Sequence, residues 1–441
     1  MVIESGRGIS EEEIAQRLAR ARERMREEGL DVLLVIGRSF YDRMGSLAYL
    51  TNHFPPFPPG AFSEKVRGMG HGLLVLPREG EPVLFVDHRN FRREMVHIQE
   101  VRPEANISAA CAARLKALGA GEGRIGISGE DIMPATMYRD LAEALPRARF
   151  ANANALVDRM RMRKSPAEVE YLRGAARIVE AGYRAIFAAI RPGARESDLC
   201  AEGHAAGMRA GADFVRYVRV HSGPWASWGS RWPQATQRRL EAGEVIRFDY
   251  VGAFEGYGFD VNRTAVVPGK KLDPKVEAMV ELCAAATEAA VAAVRPGARA
   301  SEVHRAARTF LDENGSGAGR YLFPMAGHGI GLETVEAPLI HLRQTTLDVM
   351  QIHVASLILT AERVGPTCRI QGTRKLLLMA LEQVPHLRHI TMAVSVHRPH
   401  TAPAHHYFPA SWRTAALHCC ERIYPRASAE ENSGGRGSTI F

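Results

Sequence analysis

Three side chains in this sequence have the type and setting for metal or acid-base chemistry. Asp249 and Asp260 lie eleven residues apart in EVIRFDYVGAFEGYGFDVNRTAVV (244–267), two β-rich runs joined by a Gly-containing turn. Across a hairpin, two such carboxylates can project toward a common point. Aspartate is depleted in strands, and a buried carboxylate is costly unless it is paired or bound to a cation. On spacing alone, a metal site and two strand ends facing water fit equally well. His328 stands between glycines in FPMAGHGIGLETVEAP (323–338), where backbone can approach a ligand closely. An imidazole beside carboxylates is a common transition-metal set, although Gly-His-Gly alone fits an ordinary loop histidine as well.

Two sets of elements must position these residues. Residues 10–29 read as an amphipathic helix with Ser10 as N-cap and glutamates in the first turn, where the helix dipole favours them. The β-rich runs 31–37, 71–77, 81–87 and 124–130 alternate with polar or helical segments, the pattern of a small α/β domain ending near 155. Lys164-Ser165-Pro166-Ala167-Glu168 opens a second domain: Ser165 caps, Pro166 has its φ preset and Glu168 completes a capping box, so a long helix follows and stops at Arg191-Pro192-Gly193. IRPGARESDL (190–199) returns as VRPGARASEV (294–303), each after a long Ala-rich helix. Internal duplication explains the pair, and so do two independent helix corners sharing a good stop signal.

At 441 residues the chain exceeds the size of a single growing core, so two domains are expected. With 46% apolar and 24% charged residues and no long uninterrupted apolar stretch, it reads as soluble, without a membrane partner. The acidic and basic N-terminus lacks an apolar h-region and the six cysteines show no paired framework, which points to the cytoplasm. The net charge of +8 is uneven: residues 341–441 hold 11 Lys/Arg against 6 Asp/Glu, which leaves +3 for residues 1–340 and argues against nucleic acid as a partner.

Together the Lys-Ser-Pro-x-Glu start, the FDYVGAFEGYGFDVNRT hairpin and GHGIGLETVEAP resemble the M24 metallopeptidase family, which includes prolidase, aminopeptidase P, methionine aminopeptidase and creatinase. The resemblance covers roughly residues 10–348. It implies an α/β protein with a smaller creatinase-like N-terminal domain (10–155), a pita-bread domain (160–348) and an atypical tail (349–441). It also implies that Asp249, Asp260 and His328 are metal ligands, with His221 and Glu336 on the substrate side. Active peptidases of the family add two glutamates and hold two divalent ions; an oxygen-rich set with one histidine suits Mn²⁺, Co²⁺ or Zn²⁺. Such a pair lowers the pKa of a water and polarises a scissile carbonyl, so the implied reaction is amide hydrolysis in short peptides. Homodimers are common in the family, so a homodimer is expected.

The chain departs from the family in several places. No histidine lies within SGPWASWGSRWPQATQRR (222–239); Ser230 stands about where one is expected, with His221 just before the segment, and Val335 replaces a second family histidine. Xaa-Pro specificity is therefore open. Trp225, Trp228 and Trp232 either shape a different pocket or pack under a loop, with packing preferred. After Leu347 the family's Glu-Pro-Gly and Arg-x-Glu-Asp segments are missing. Ser356 falls near the first expected glutamate, and Glu362 and Glu382 lack the right flanks. Residues 341–441 hold nine of 17 histidines but five of 40 glycines, a change of texture that suggests a shifted reading frame; a genuinely divergent C-terminus is the other explanation. Three functions follow: a metal-dependent peptidase with two ions, one or none; a creatinase- or ectoine-hydrolase-like enzyme acting on small amides; or a pita-bread protein without catalysis.

Overall fold

The computed structural model describes residues 8–57, 68–87, 91–226, 232–295 and 298–341, together with strand segments 355–356, 359–362 and 389–392. The remainder of the 349–441 tail, including Glu382, lies outside the described residues, as do Trp228 and Ser230.

The N-terminal part begins with α1 (Glu11–Glu27), where the Ser10 side chain accepts from the Glu13 amide and three glutamates fill the first turn. Ile14, Arg17, Leu18, Ala21 and Met25 form its buried stripe at helical spacing. After it come β1 (Val32–Arg38), α2 (Gly45–Thr51), β2 (His71–Pro77), β3 (Val83–Val86), β4 (Glu100–Pro103), α3 (Ile107–Ala117), β5 (Arg124–Ser128), α4 (Ala135–Ala144), β6 (Arg149–Asn152) and α5 (Asn154–Met162). The strands form one sheet in the order β4-β3-β2-β1-β5-β6, with β1 antiparallel to β2 and parallel to β5. Leu33 and Val35 of β1 enter a core shared with α1 and α2, while Val32, Leu34 and Ile36 enter a second core with residues of α3 and α4. A strand covered on both faces must be apolar along its covered stretch, which is why residues 32–36 of β1 and 73–76 of β2 are unbroken apolar runs.

The second part opens with α6 (Pro166–Ala189). Its capping box is complete: Glu168 N donates to Ser165 Oγ at 3.2 Å and Ser165 N donates to Glu168 Oε2 at 2.8 Å. α6 leads through a corner into α7 (Glu196–Arg209) and then to three strands, β7 (Phe214–Ser222), β8 (Val245–Phe254) and β9 (Tyr257–Val266), paired antiparallel in that order. β8 and β9 meet in a two-residue turn in which Glu255 and Gly256 both have positive φ, at 51° and 77°. α8 (Pro274–Ala292), capped by Asp273, then turns into α9 (Ala300–Asn314). The first copy of the repeated segment forms the corner between α6 and α7, and the second lies between α8 and α9, with Pro296 and Gly297 outside the described residues. Strands β10 (Met325–Gly329), β11 (Glu336–His341) and β12 (Ala355–Ser356) form a further sheet in the order β11-β10-β12, and within it His328 pairs with Ser356.

Buried polar contacts join the two parts. Arg17 lies 3.3 Å from the Glu168 carboxylate, which also accepts from the Tyr257 hydroxyl at 3.2 Å at the start of β9. Arg17 further donates to the Tyr49 carbonyl at 3.0 Å. The first helix, α6 and the hairpin are thus held by one charge-assisted network.

Candidate active site

The β7-β8-β9 sheet has two chemically opposite faces. Val218, Val220, Ile246, Phe248, Tyr250 and Phe259 point to one face and pack with Ile178, Tyr183, Ile186 and Leu199 of α6 and α7. Side chains alternate along a strand, so Tyr217, Arg219, His221, Arg247, Asp249, Asp260, Asn262 and Thr264 share the other face. Register fixes their neighbours: Arg219 pairs with Asp249, His221 with Arg247, Asp249 with Asn262, and Val251 with Asp260. Asp249 and Asp260 are therefore diagonal neighbours on adjacent strands, the convergence that the hairpin spacing allowed.

Both carboxylates are buried. Arg219 Nη1 lies 2.7 Å from Asp249 Oδ2, and its guanidinium carbon sits 3.9 Å over the Tyr217 ring. Burial and the neighbouring Asp249 carboxylate push Asp260 well above the usual carboxylate range, against the opposing pull of Arg219 and Arg247. Two carboxyls this close and this dry resist holding two negative charges without a compensating cation or proton.

His328 completes the group from β10. It is fully buried, with Nδ1 2.9 Å from the Gly329 carbonyl and Nε2 3.7 Å from Asp260 Oδ2. A carbonyl only accepts, so Nδ1 carries the proton. Burial holds the imidazole below its ordinary pKa, and the neutral ring then presents a bare Nε2 lone pair toward the carboxylates. His328 Nε2 and Asp249 Oδ1 are buried without a hydrogen-bond partner among the described residues. Lone pairs facing one another in a dry interior are unfavourable unless a cation or proton lies between them. The donor set suits a divalent ion, yet among the described residues no three His, Cys, Asp or Glu side chains already stand in ligand geometry.

Two residues assigned to the substrate side stand in unlike places. His221 is buried on the polar face, with Nε2 3.4 Å from the Pro233 carbonyl. Glu336 is committed elsewhere: its carboxylate accepts from both Arg161 and Lys164, and Lys164 also donates to the Arg161 carbonyl at 2.8 Å. These cations hold the Glu336 carboxyl below the usual range despite full burial, and the contact ties β11 to the junction of α5 and α6. Substrate contact does not suit a carboxylate so engaged. Of the tryptophans expected to pack under a loop, Trp232 departs from that expectation at 86% exposed, Trp225 is 39% exposed, and Trp228 lies outside the described residues. Arg219, Arg247 and Asn262 were not singled out from sequence. Alternating polar positions 217, 219 and 221 between Val218 and Val220 are the signal that marks the face.

Comparison with known proteins gives this arrangement a family. The sequence model of metallopeptidase family M24 matches residues 170–370, and that of the creatinase/prolidase N-terminal domain matches residues 17–163. Residues 170–370 thus belong to metallopeptidase family M24, behind a creatinase/prolidase-type N-terminal domain at 17–163. The probable dipeptidase PepE of Mycobacterium tuberculosis is 32% identical over 211 residues, 48% of this chain and 54% of PepE. The Xaa-Pro dipeptidase of Lactobacillus helveticus is 28% identical over 214 residues, 48% of this chain and 56% of that enzyme. The chain thus spans about half the length of these relatives. Ectoine hydrolase of Halomonas elongata aligns over more, 25% identical across 339 residues that make up 70% of this chain and 78% of the relative. Among solved structures, PepE from Mycobacterium ulcerans superposes with a TM-score of 0.64 at 26% identity, covering 81% of this chain and 89% of that one. The prolidase from Pyrococcus horikoshii OT3 shares the fold, with a TM-score of 0.65 at 20% identity over 86% and 93%. The M24 part has the family's pita-bread fold, preceded by a creatinase-type N-terminal domain.

Proposed function

We propose that this chain is a metal-dependent hydrolase that cleaves amide bonds in short peptides, with Asp249, Asp260 and His328 as ligands of a divalent ion such as Mn²⁺, Co²⁺ or Zn²⁺. The observation that carries the reading is the buried Nε2 of His328, without a hydrogen-bond partner among the described residues and aimed at two converging carboxyls in a chain of this family. A divalent ion held there supplies a Lewis acid for a carbonyl oxygen and lowers the pKa of a water to the neutral range. The chain's own groups do the rest. The Gly329 carbonyl fixes the His328 tautomer, and the strand register sets the two carboxyls side by side. The buried surroundings exclude bulk water, which strengthens each electrostatic contact. A peptide or small amide as substrate, a homodimer and a cytoplasmic setting belong to this proposal.

A second reading has specific support: hydrolysis of a small non-peptide amide or cyclic amidine. Ectoine hydrolase aligns over the larger share of the chain, and Val335, where peptidases of the family carry a histidine, is 48% exposed. Loss of catalysis is the third outcome, since Ser356 occupies the backbone position paired with His328. Incubating the purified chain with Mn²⁺ and either Ala-Pro, Ala-Ala or ectoine, and following amine release, separates the three. Cleavage of a dipeptide that is lost in Asp260→Ala is the expected result. Turnover of ectoine alone would transfer the assignment to the second reading, and no turnover of any substrate would contradict the proposal.

A further inference from the structure

We propose that Arg219 is a resident cation of the site, competing with a divalent ion for Asp249 and keeping the ion affinity of this chain low. The inference rests on the reading of Asp249, Asp260 and His328 as a cation site. Three observations carry it.

Arg219 is the register partner of Asp249 across β7 and β8, so the strand pairing itself delivers the guanidinium to the carboxylate. The contact is a charge-assisted 2.7 Å hydrogen bond to Oδ2 with the Asp249 side chain only 9% exposed. Stacking of the guanidinium on Tyr217 at 3.9 Å braces it there, which limits the freedom lost in making the bond. Second, the independent sign of a cation site, the buried Nε2 of His328 without a hydrogen-bond partner among the described residues, lies on the same group of side chains, 3.7 Å from Asp260 Oδ2. Third, Arg247 is turned to Asn262, donating from Nη2 to Oδ1 at 3.0 Å. Arg219 is the guanidinium whose ion pair falls directly on a candidate ligand, at 2.7 Å from Asp249 Oδ2.

A divalent ion approaching Asp249 must therefore either displace Arg219 or share the carboxylate with it. Displacement breaks a largely buried ion pair; sharing places a unit positive charge within a few ångströms of the ion in a poorly screened setting. Each alternative weakens ion binding. Replacing the arginine by a neutral side chain removes both obstacles, and a lysine retains the charge while losing the planar stack.

The test is calorimetric titration of the full chain with MnCl₂, comparing the wild type with Arg219→Gln, Arg219→Lys and Arg247→Gln. Far-UV circular dichroism and thermal melts establish that each variant is folded. Arg219→Gln is expected to bind Mn²⁺ at least about tenfold more tightly than the wild type, Arg219→Lys close to the wild type, and Arg247→Gln to change affinity by less than Arg219→Gln. Equal or weaker binding by folded Arg219→Gln, or an equal gain in Arg247→Gln, would overturn the proposal: the first shows that the arginine positions the carboxylate for the ion, the second that only the overall field matters. Tighter binding by Arg219→Gln without hydrolysis by any variant would support this inference while defeating the proposed activity.

Discussion

Replacing Glu336 by glutamine isolates the contact that ties β11 to the α5-α6 junction. The Glu336, Arg161 and Lys164 side chains are 6%, 4% and 4% exposed, so all three charges are nearly dry. Arg161 has weaker support from Glu333 and Asp158, each at 3.6 Å, and Lys164 has the Arg161 carbonyl. Removing the carboxylate leaves two buried cations facing a neutral amide, a change of the kind that costs about 3–5 kcal/mol. Urea denaturation at pH 7 should show this as a lower midpoint with an unchanged slope. The sign with pH follows from the depressed carboxyl. Its folded pKa lies below the unfolded value, so its contribution is full above about 4.5 and is lost as pH falls through the folded pKa. The wild type should therefore lose its advantage over Glu336→Gln on acidification below that range. A loss under about 1 kcal/mol at pH 7, or an advantage that persists at low pH, would refute the claim that this network carries the junction.

Three further outcomes follow from the packing and the site. Gly182→Ala should destabilise by about 1–3 kcal/mol in chemical denaturation, because a Cβ on α6 would come within 2.1 Å of the Tyr250 ring and the ring has its hydroxyl anchored on the Gly203 carbonyl. Tyr257→Phe should cost about 1 kcal/mol through loss of its hydrogen bond to Glu168, measured the same way. Asp260→Asn should melt at a higher temperature than the wild type in chelator at pH 8. The raised carboxyl contributes stability below its unfolded pKa that is lost as pH rises through the folded pKa, and asparagine has no ionisation to bury.

Much of the frame is written locally in the chain. The Ser165-Pro166-Glu168 start and the long β-rich runs carry their structure in neighbouring residues, as do the hairpin and the corner between α6 and α7. Short elements were harder: β4 and β6 are four-residue strands with partly exposed sides, and neither has a strong apolar period. At the site, the convergence of Asp249 and Asp260 follows from the hairpin register. The arrival of His328 from a different sheet is a long-range contact, to which only the family resemblance pointed. Arg219 and Glu336 show the limit from opposite sides. The arginine reaches Asp249 only through the β7-β8 register, and the glutamate, placed on the substrate side by the family resemblance, is held by Arg161 and Lys164 from a distant part of the chain.

The most direct test of the cation site is an anomalous difference map from crystals of the chain soaked in MnCl₂, recorded near the manganese edge. A peak is expected about 2.2 Å from Asp249, Asp260 and His328 Nε2. A map with no peak there, or with manganese bound only elsewhere, would contradict it.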